Sequence, residues 1–600
     1  MAETIAEPVA VETQPPDSLG RRLLHALWPE ALVLIVFLAL ATRVFPGAWV
    51  SPTSTTIGGG GGDAGLFIWF LRWTPYAVGH GLNPLFTDYL NYPQGVNAMW
   101  NTSLPLPGLL LAPVTSALGV IFTFNLLLTA ALGLSAFSAY LAIRRYVPSD
   151  AAAAIGGLVF GFSPYILNQS RGHLHVTLLF LVPPMLVALE EILVRQRRSP
   201  WWLGAGLGLM AACQLLIGEE VLVATAVIGA TMLLVLVLLY PCQVAKRVPY
   251  ALRALAMAAL VSLVLAAWPL WLQLAGPQRV VGDIQGSTNY VSDLYNFVVP
   301  TRSQWLAPPS ALRLAAHFTG NIAEQGAYLG IPLLLIGVVT AIRWWSKPVV
   351  RVSALLGLAA ALLSMGGRLH VAGRTTGVHL PWRAFQNLPL ISNLIPGRLV
   401  MFTTLFAGLL LAWFLWRAWH WRVAGRVLAV VAVVAALVPL VPSGVRSTKP
   451  VRVPAFFTGP EVRQLPEGSV ALVVPPSAPL SSNAMVWQAQ AGMRFKMLRG
   501  YFVGPNSGRS SPYGAPPTVL SNVLSIVQAG QPPKLTHELR ASLLDELRAD
   551  RVQTVIVGPM RRQPTMVRFV TDLLGREPSP AAGGVYLWRD ALFPPAGPHR

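Results

Sequence analysis

The sequence predicts an α-helical polytopic membrane protein of about eleven transmembrane helices, with a large first outer loop and a C-terminal extracytoplasmic α/β domain. Three observations predict it. Of 600 residues, 54% are hydrophobic and only 11% charged, and the mean hydropathy is +0.56. A soluble chain needs roughly a quarter of its residues charged to cover its surface, so lipid must form part of the solvent of this one. Basic residues recur in alternate loops between the apolar stretches. After Pro442 the composition becomes charged and turn-rich, and no spanning stretch follows.

The formal charge is +20, from 44 Lys+Arg against 24 Asp+Glu. In a soluble protein that excess would point first to nucleic acid. Here basic cytoplasmic loops account for it, and no nucleic-acid partner is expected. The two cysteines, Cys213 and Cys242, lie in or at the end of apolar runs, which argues against a disulfide framework or a cysteine metal site. Residues 1–27 read as a disordered cytoplasmic tail with no visible cleavable signal peptide.

A bilayer crossing needs about 20 apolar residues. Such stretches lie near 28–46, 121–143, 151–168, 175–194, 201–218, 221–241, 252–273, 327–345, 352–366, 398–416 and 426–442. Residues 104–118 are apolar but short and carry three prolines, so they are expected to be re-entrant or interfacial. With the N-terminus inside, the inner loops carry Arg144-Arg145, Arg195/Arg197/Arg198, Lys246/Arg247/Arg253, Arg343/Lys347/Arg351 and Arg417/Arg422/Arg426. Every inner loop is then basic, as the positive-inside rule requires. Counting 104–118 as a span would move those clusters outside. The expected division is a transmembrane domain over 28–444 and an outer α/β domain over 445–600, with β-like runs at Val470–Val474 and Val552–Val557 and an amphipathic helix at Leu535–Arg548. Long outer segments run over 47–120, 274–326 and 367–397.

Acidic residues are rare in the membrane part, which makes their placement informative. Asp150, Glu190 and Glu191 fall at the inner face among basic residues, where ion pairs are the natural reading. Asp63, Asp88, Glu219, Glu220, Asp283, Asp293 and Glu324 map to the outer face. Charges beside hydrocarbon are costly and mark function, so the outer face is the expected working face.

Asp63 follows Gly58–Gly62 and opens the run DAGLFIWFLRW, read as an amphipathic interfacial helix with Phe67, Trp69, Phe70, Arg72 and Trp73. Its carboxylate reads either as a helix N-cap or as a base for a substrate hydroxyl, and the two are compatible. Trp69, with Trp73 and Trp100, offers a stacking surface for a sugar or an interfacial belt. Glu219-Glu220 sit between two spans with scarcely any polar cover, either in water or with one facing a polar cavity, since neighbours on a helix diverge by about 100°. His173 and His175, with Arg171 just before them, suit hydrogen bonding to a substrate better than a metal, because no Cys or carboxylate is near in sequence. The third outer loop holds Arg368, Arg374 and Arg383, and Arg398 opens a span. Outer arginines suit phosphate or anionic headgroups, and Arg398 suits a specific ligand.

Beyond the first-loop acid and its aromatic helix, the chain carries NPLF (Asn83–Phe86), YPQG (Tyr92–Gly95), FSPY (Phe162–Tyr165), Gly172-His173, AYLG (Ala327–Gly330) and Arg398. Over roughly residues 28–450 these resemble the bacterial membrane glycosyltransferases of the GT-C fold, in particular the actinobacterial and YfhO-like group. The resemblance implies an enzyme of a bacterial plasma membrane that moves a sugar from a polyprenyl-phosphate donor to an extracytoplasmic glycan, lipid or protein acceptor with inversion. Asp63 would be the general base, and arginines such as Arg398 would meet the leaving phosphate. Arg72, Trp69, Asn83, Arg171, His173, His175 and Arg383 complete the expected substrate contacts. A second Asp of the family, in the loop after the third span, is missing here, so Glu219 or Glu220 takes its place or one acid suffices. That leaves the metal ligands unknown and a divalent cation open. Two other classes remain: a lipid or glycan transporter or flippase, and a non-catalytic GT-C scaffold in envelope assembly.

Overall fold

Every apolar stretch named above forms helix in the computed structural model, which describes residues 19–58, 62–284, 289–389, 391–444, 448–479, 481–505 and 513–592, the side chains of 19–27 excepted. The expected tail through residue 18 and the glycines at 59–61 lie outside the described residues. Among the described residues six helices are long and apolar enough to cross a bilayer: Val120–Arg144, Asp150–Gln169, Glu219–Leu239, Pro241–Ala275, Pro396–Ala418 and Val423–Leu440. The protein is a multi-pass membrane protein.

Prolines explain where helices depart from the simple pattern. The 175–194 stretch is broken into Leu174–Thr177, Val182–Glu190 and a π-helical turn, Glu191–Arg195, with Pro183 opening the second piece. Residues 104–118 form two short helices, Pro105–Leu110 and Ala112–Leu118, with Pro113 at the start of the second. The helix expected over 252–273 begins earlier, at Pro241, and carries Lys246, Arg247 and Arg253 on its first turns. Close packing rests on small residues, as is usual in membranes: a Cβ on Gly156 would lie 2.6 Å from the carbonyl oxygen of Gly408.

The two faces of the bundle differ. At one, Arg144 pairs with Glu30 and with Asp150 (2.7 Å), Arg145 with Glu191, and Arg195 with Glu190 (2.7 Å). The other face carries the long loops. There the helix Asp63–Gly79 lies against helices Asn483–Gln490, Pro105–Leu110 and Val120–Arg144. The sequence suggested an amphipathic interfacial helix; instead most of it packs against protein up to an exposed last turn, and Trp69 and Trp73 are fully buried. Its entry is fixed by strand Thr55–Ile57, which pairs antiparallel with Thr448–Pro450 and is held by buried Asn125. Gly58 then turns at φ +77, with its Cα pressed so close to the backbone of Arg171 that a Cβ would sit 1.9 Å from that carbonyl oxygen. Gly58→Ala is therefore expected to cost at least about 1–3 kcal/mol, seen as a lower thermal midpoint in detergent. Gly79→Ala, with open space around it, is the matched substitution that should leave the midpoint unchanged.

Residues 469–588 build a five-stranded sheet in the order Ser579–Ala581, Val585–Trp588, Thr554–Val557, Ser469–Val474, Phe495–Met497. The last three strands run parallel and the first two antiparallel. Alternation along Ser469–Val474 sends Val470, Leu472 and Val474 into a core with helices Val519–Gln528, His537–Ala549 and Gln563–Leu574. Ala471 and Val473 point the other way, into the core shared with the membrane helices. The first loop covers the sheet edge: Met497 donates to Tyr89 at 3.0 Å and Tyr92 donates to Met497 at 2.9 Å.

Candidate active site

Asp63 is the first residue of its helix, but Gly62 occupies the cap position and no side chain caps the helix. The N-cap reading of Asp63 is thus corrected: its oxygens go elsewhere. Tyr501 donates its hydroxyl to Oδ1 at 2.5 Å, and His173 Nε2 lies 3.0 Å from Oδ2. The loop that delivers His173 is braced because Gly172 passes beside Ala64.

His173 continues the network inward. Its Nδ1 lies 2.6 Å from Gln169 Oε1, and Gln169 Nε2 donates to Glu324 Oε2 at 2.8 Å, which fixes the amide orientation. Both ring nitrogens of His173 thus face oxygens, Asp63 on one side and Gln169 on the other. Glu324 receives Arg398 through Nη2 at 2.7 Å and Nε at 3.3 Å. Arg398 Nη1 reaches Glu220, whose other oxygen accepts the Ile395 N–H at 3.1 Å. His175 Nε2 stands 3.9 Å from Glu220, its ring against Phe67. A continuous chain of hydrogen bonds and ion pairs thus runs from Tyr501 to Glu220.

The electrostatics follow from these contacts. Burial by itself would raise the Asp63 carboxyl, but the hydrogen bond and charge of His173, with the Tyr501 hydroxyl and His175, bring its pKa down to about 2. Burial and the Asp63 charge together push the Tyr501 phenol up, so it stays a donor. Glu324 is buried too, yet the Arg398 guanidinium holds it below the usual carboxylate range.

The other expected residues divide. Glu219 and Glu220 both border a cavity of about 370 Å³, with Trp100, Gln273, Asp283 and Asn393. The expectation that only one would face it is corrected, because at the helix start the two side chains lie on one rim; Glu219 accepts from Gln273 at 2.5 Å. Arg171 sits beside the cluster; its buried Nε has no hydrogen-bond partner, and burial and neighbouring Arg302 lower its pKa. Trp69 is no sugar platform, because its ring is stacked on Trp73 and its N–H donates to Gln488 at 2.5 Å. Arg72 lies further along that helix, near Gly492. Asn83 closes a turn by accepting from the Leu85 N–H, and Arg383 is exposed in the turn Pro381–Ala384. None of these last four joins the cluster. Arg398 joins it with its donors engaged by two carboxylates, rather than free for a phosphate.

Sequence reasoning missed Tyr501 and Gln169 and gave Glu324 no partner. Only Glu324 left a signal, as an acid on the loop face. Among the described residues no three of His, Cys, Asp and Glu are grouped to hold a metal ion.

A family model described as a domain of unknown function, DUF6311, matches residues 33–438, well over half of the chain. The chain belongs to the DUF6311 family. No curated protein matches it. Among solved structures, the arabinofuranosyltransferase AftD from mycobacteria is similar at 16% identity and a TM-score of 0.52, with 96% of this chain and 40% of that one covered. This DUF6311 chain thus spans about 40% of the length of AftD. ArnT from Cupriavidus metallidurans, solved with undecaprenyl phosphate, aligns at 12% identity and a TM-score of 0.45, over 96% of this chain and 100% of that one. The Archaeoglobus fulgidus oligosaccharyltransferase aligns at 12% identity and 0.44, over 88% and 69%. The fold is that of the GT-C membrane glycosyltransferases. The narrower likeness to the YfhO-like group is not reached by these neighbours.

Proposed function

We propose that this DUF6311 protein is a membrane glycosyltransferase that takes a sugar from a polyprenyl-phosphate donor and passes it to an extracytoplasmic glycan or lipid acceptor. The observation that carries the reading is the placement of Asp63. It is an ionised carboxylate at the start of the first-loop helix, held by Tyr501 and His173 on the face that bears the long loops. In this reading that face is the outer one and residues 445–600 form the extracytoplasmic domain, in accord with the basic loops at the opposite face.

The chemistry requires a base on the acceptor hydroxyl and positive charge at the leaving phosphate. An acceptor hydroxyl that reaches the Asp63 carboxylate donates to it, and the carboxylate takes the proton as the oxygen attacks. The oxygen attacks the anomeric carbon from the side opposite the phosphate, so configuration inverts. Arg171, which makes no ion pair among the described residues and has Arg302 beside it, carries positive charge suited to the leaving phosphate. Arg398 is a positioning residue: it neutralises Glu324 and Glu220 and so holds the scaffold of His173. Glu219, on the rim of the 370 Å³ cavity, is placed to accept a hydroxyl of the bound sugar. The test is incubation of the detergent-purified protein with a panel of labelled polyprenyl-phosphate sugars and crude envelope lipid. Release of free polyprenyl phosphate with label moving to a new product supports the reading; no consumption of any donor argues against it.

His173→Gln gives a pH signature. In the wild type, Asp63 is ionised at all ordinary pH, and its pairing contributes stability that is complete above its unfolded value of about 4 and lost as pH falls towards about 2. Without His173, only the Tyr501 hydroxyl and His175 still oppose the effect of burial, and the carboxyl titrates higher. The acid limb of the transfer rate should move to higher pH in His173→Gln, measured from pH 4 to 8. An unmoved limb would separate His173 from Asp63.

A further inference from the structure

A second cavity, of about 380 Å³, lies where the first loop meets the sheet unit, and its walls include Tyr92, Gln94, Gln278, Arg499, Phe502 and Asp550. Its volume falls in the range of small-ligand sites, about 300–1,000 Å³.

Its polar groups separate into those used by the fold and those left over. Arg499 donates to the carbonyls of Ala515 (3.0 Å) and Pro516 (2.8 Å). Glu546 accepts the N–H of Leu520 at 3.0 Å and so serves the helix Val519–Gln528. Among the described residues the carboxylate of Asp550 and the amides of Gln94 and Gln278 have no side-chain hydrogen-bond partner. A carboxylate and two amides supply acceptors and donors at several angles, which is what a ring of hydroxyl groups requires. Apolar walls from Leu472, Leu498 and Phe502 complement the C–H faces of such a ring. Charge decides against other ligands. Among the described residues of the wall, two carboxylates, Asp550 and Glu546, outweigh the single guanidinium of Arg499, so a phosphate or nucleotide would meet net repulsion. Burial and the Glu546 charge raise the Asp550 carboxyl, which a hydroxyl donor would relieve.

The cavity is also wired to Asp63. Within one segment, Tyr501 turns to Asp63 while Arg499 and Phe502 turn to the cavity. Asn101 pins that segment by donating to Val503 O at 2.9 Å and accepting from Val503 N at 2.6 Å.

We propose that this cavity binds a neutral saccharide unit at a site separate from Asp63, and that, on the transferase reading, it holds the acceptor glycan away from the bond being made.

The experiment is saturation-transfer NMR and calorimetry on the full-length protein in detergent, with methyl pentosides, methyl hexosides and neutral trisaccharides as probes and a hexose phosphate as the charged comparison. The Asp550→Ala/Gln94→Ala double variant and the conservative Asp550→Asn are measured alongside, with thermal midpoints to confirm folding. The expected result is binding of a neutral saccharide by the wild type, weakened about tenfold or more in the double variant and less in Asp550→Asn. No saccharide binding, equal binding by the folded double variant, or preference for the phosphate would each overturn the assignment. Saccharide binding without donor consumption would remove the transferase reading and leave the cavity assigned. Donor consumption without saccharide binding would do the reverse.

Discussion

Asp63→Asn is expected to lower sugar transfer by about 10²–10⁴-fold, the usual contribution of a positioned general base, while the protein stays folded. Asn keeps the shape and one carbonyl oxygen, which can still accept from Tyr501, now at 2.5 Å from Oδ1. What is lost is the negative charge facing His173 Nε2 and the ability to take a proton. Because Asp63 is partly exposed at the loop face while Tyr501 is buried, the variant should bind donor nearly as well as the wild type. The loss should therefore fall on the rate rather than on the Michaelis constant. A loss confined to the Michaelis constant would make Asp63 a binding residue.

The largest expected effect on stability is at Arg398. Its guanidinium is buried and satisfies Glu324 and Glu220 together. Arg398→Met fills most of the volume but leaves buried Glu324 and partly buried Glu220 without their counter-charge. Breaking a buried pair by removing one partner costs about 3–5 kcal/mol, and here one change strips two acids. Arg383→Met, at an exposed turn with no side-chain polar partner among the described residues, is the matched substitution and should shift the thermal midpoint little. Arg398→Lys should recover only part of the loss, because an ammonium cannot present the two-pronged geometry that Glu324 receives. A midpoint for Arg398→Met equal to that of Arg383→Met would show that the chain of ion pairs is not what holds this face together.

The helices were legible because hydrocarbon thickness demands a length of apolar sequence, and the prolines of 104–118 marked a stretch that would break, as it does at Pro113; the break in 175–194 at Pro183 was not read. The strand Ser469–Val474 and the helix His537–Ala549 fall close to where alternation and periodicity put them. Asp63 was legible as an acid after a glycine run, and Gly58 shows why glycine is needed there. The surroundings of Asp63 were not. Tyr501 is 438 residues away and Glu324 and Arg398 are 74 apart; no local pattern encodes a pairing made only when the loops and the sheet unit close over the bundle. Trp69 misled for a related reason. An aromatic stripe at helical spacing reads the same whether it meets headgroups, a sugar or another part of the protein, and here it meets Gln488 and Trp73. Arg398 looked like a phosphate ligand because its acids lie far off in sequence.

In the proposed reaction Asp63 drives sugar transfer from a lipid phosphate. The most direct measurement uses a donor labelled in both sugar and lipid, incubated with wild type and Asp63→Asn at matched amounts of folded protein. The wild type should release lipid phosphate and sugar-bearing product in equal amounts, and the variant should release neither at a comparable rate. Equal transfer by both proteins would contradict this role of Asp63.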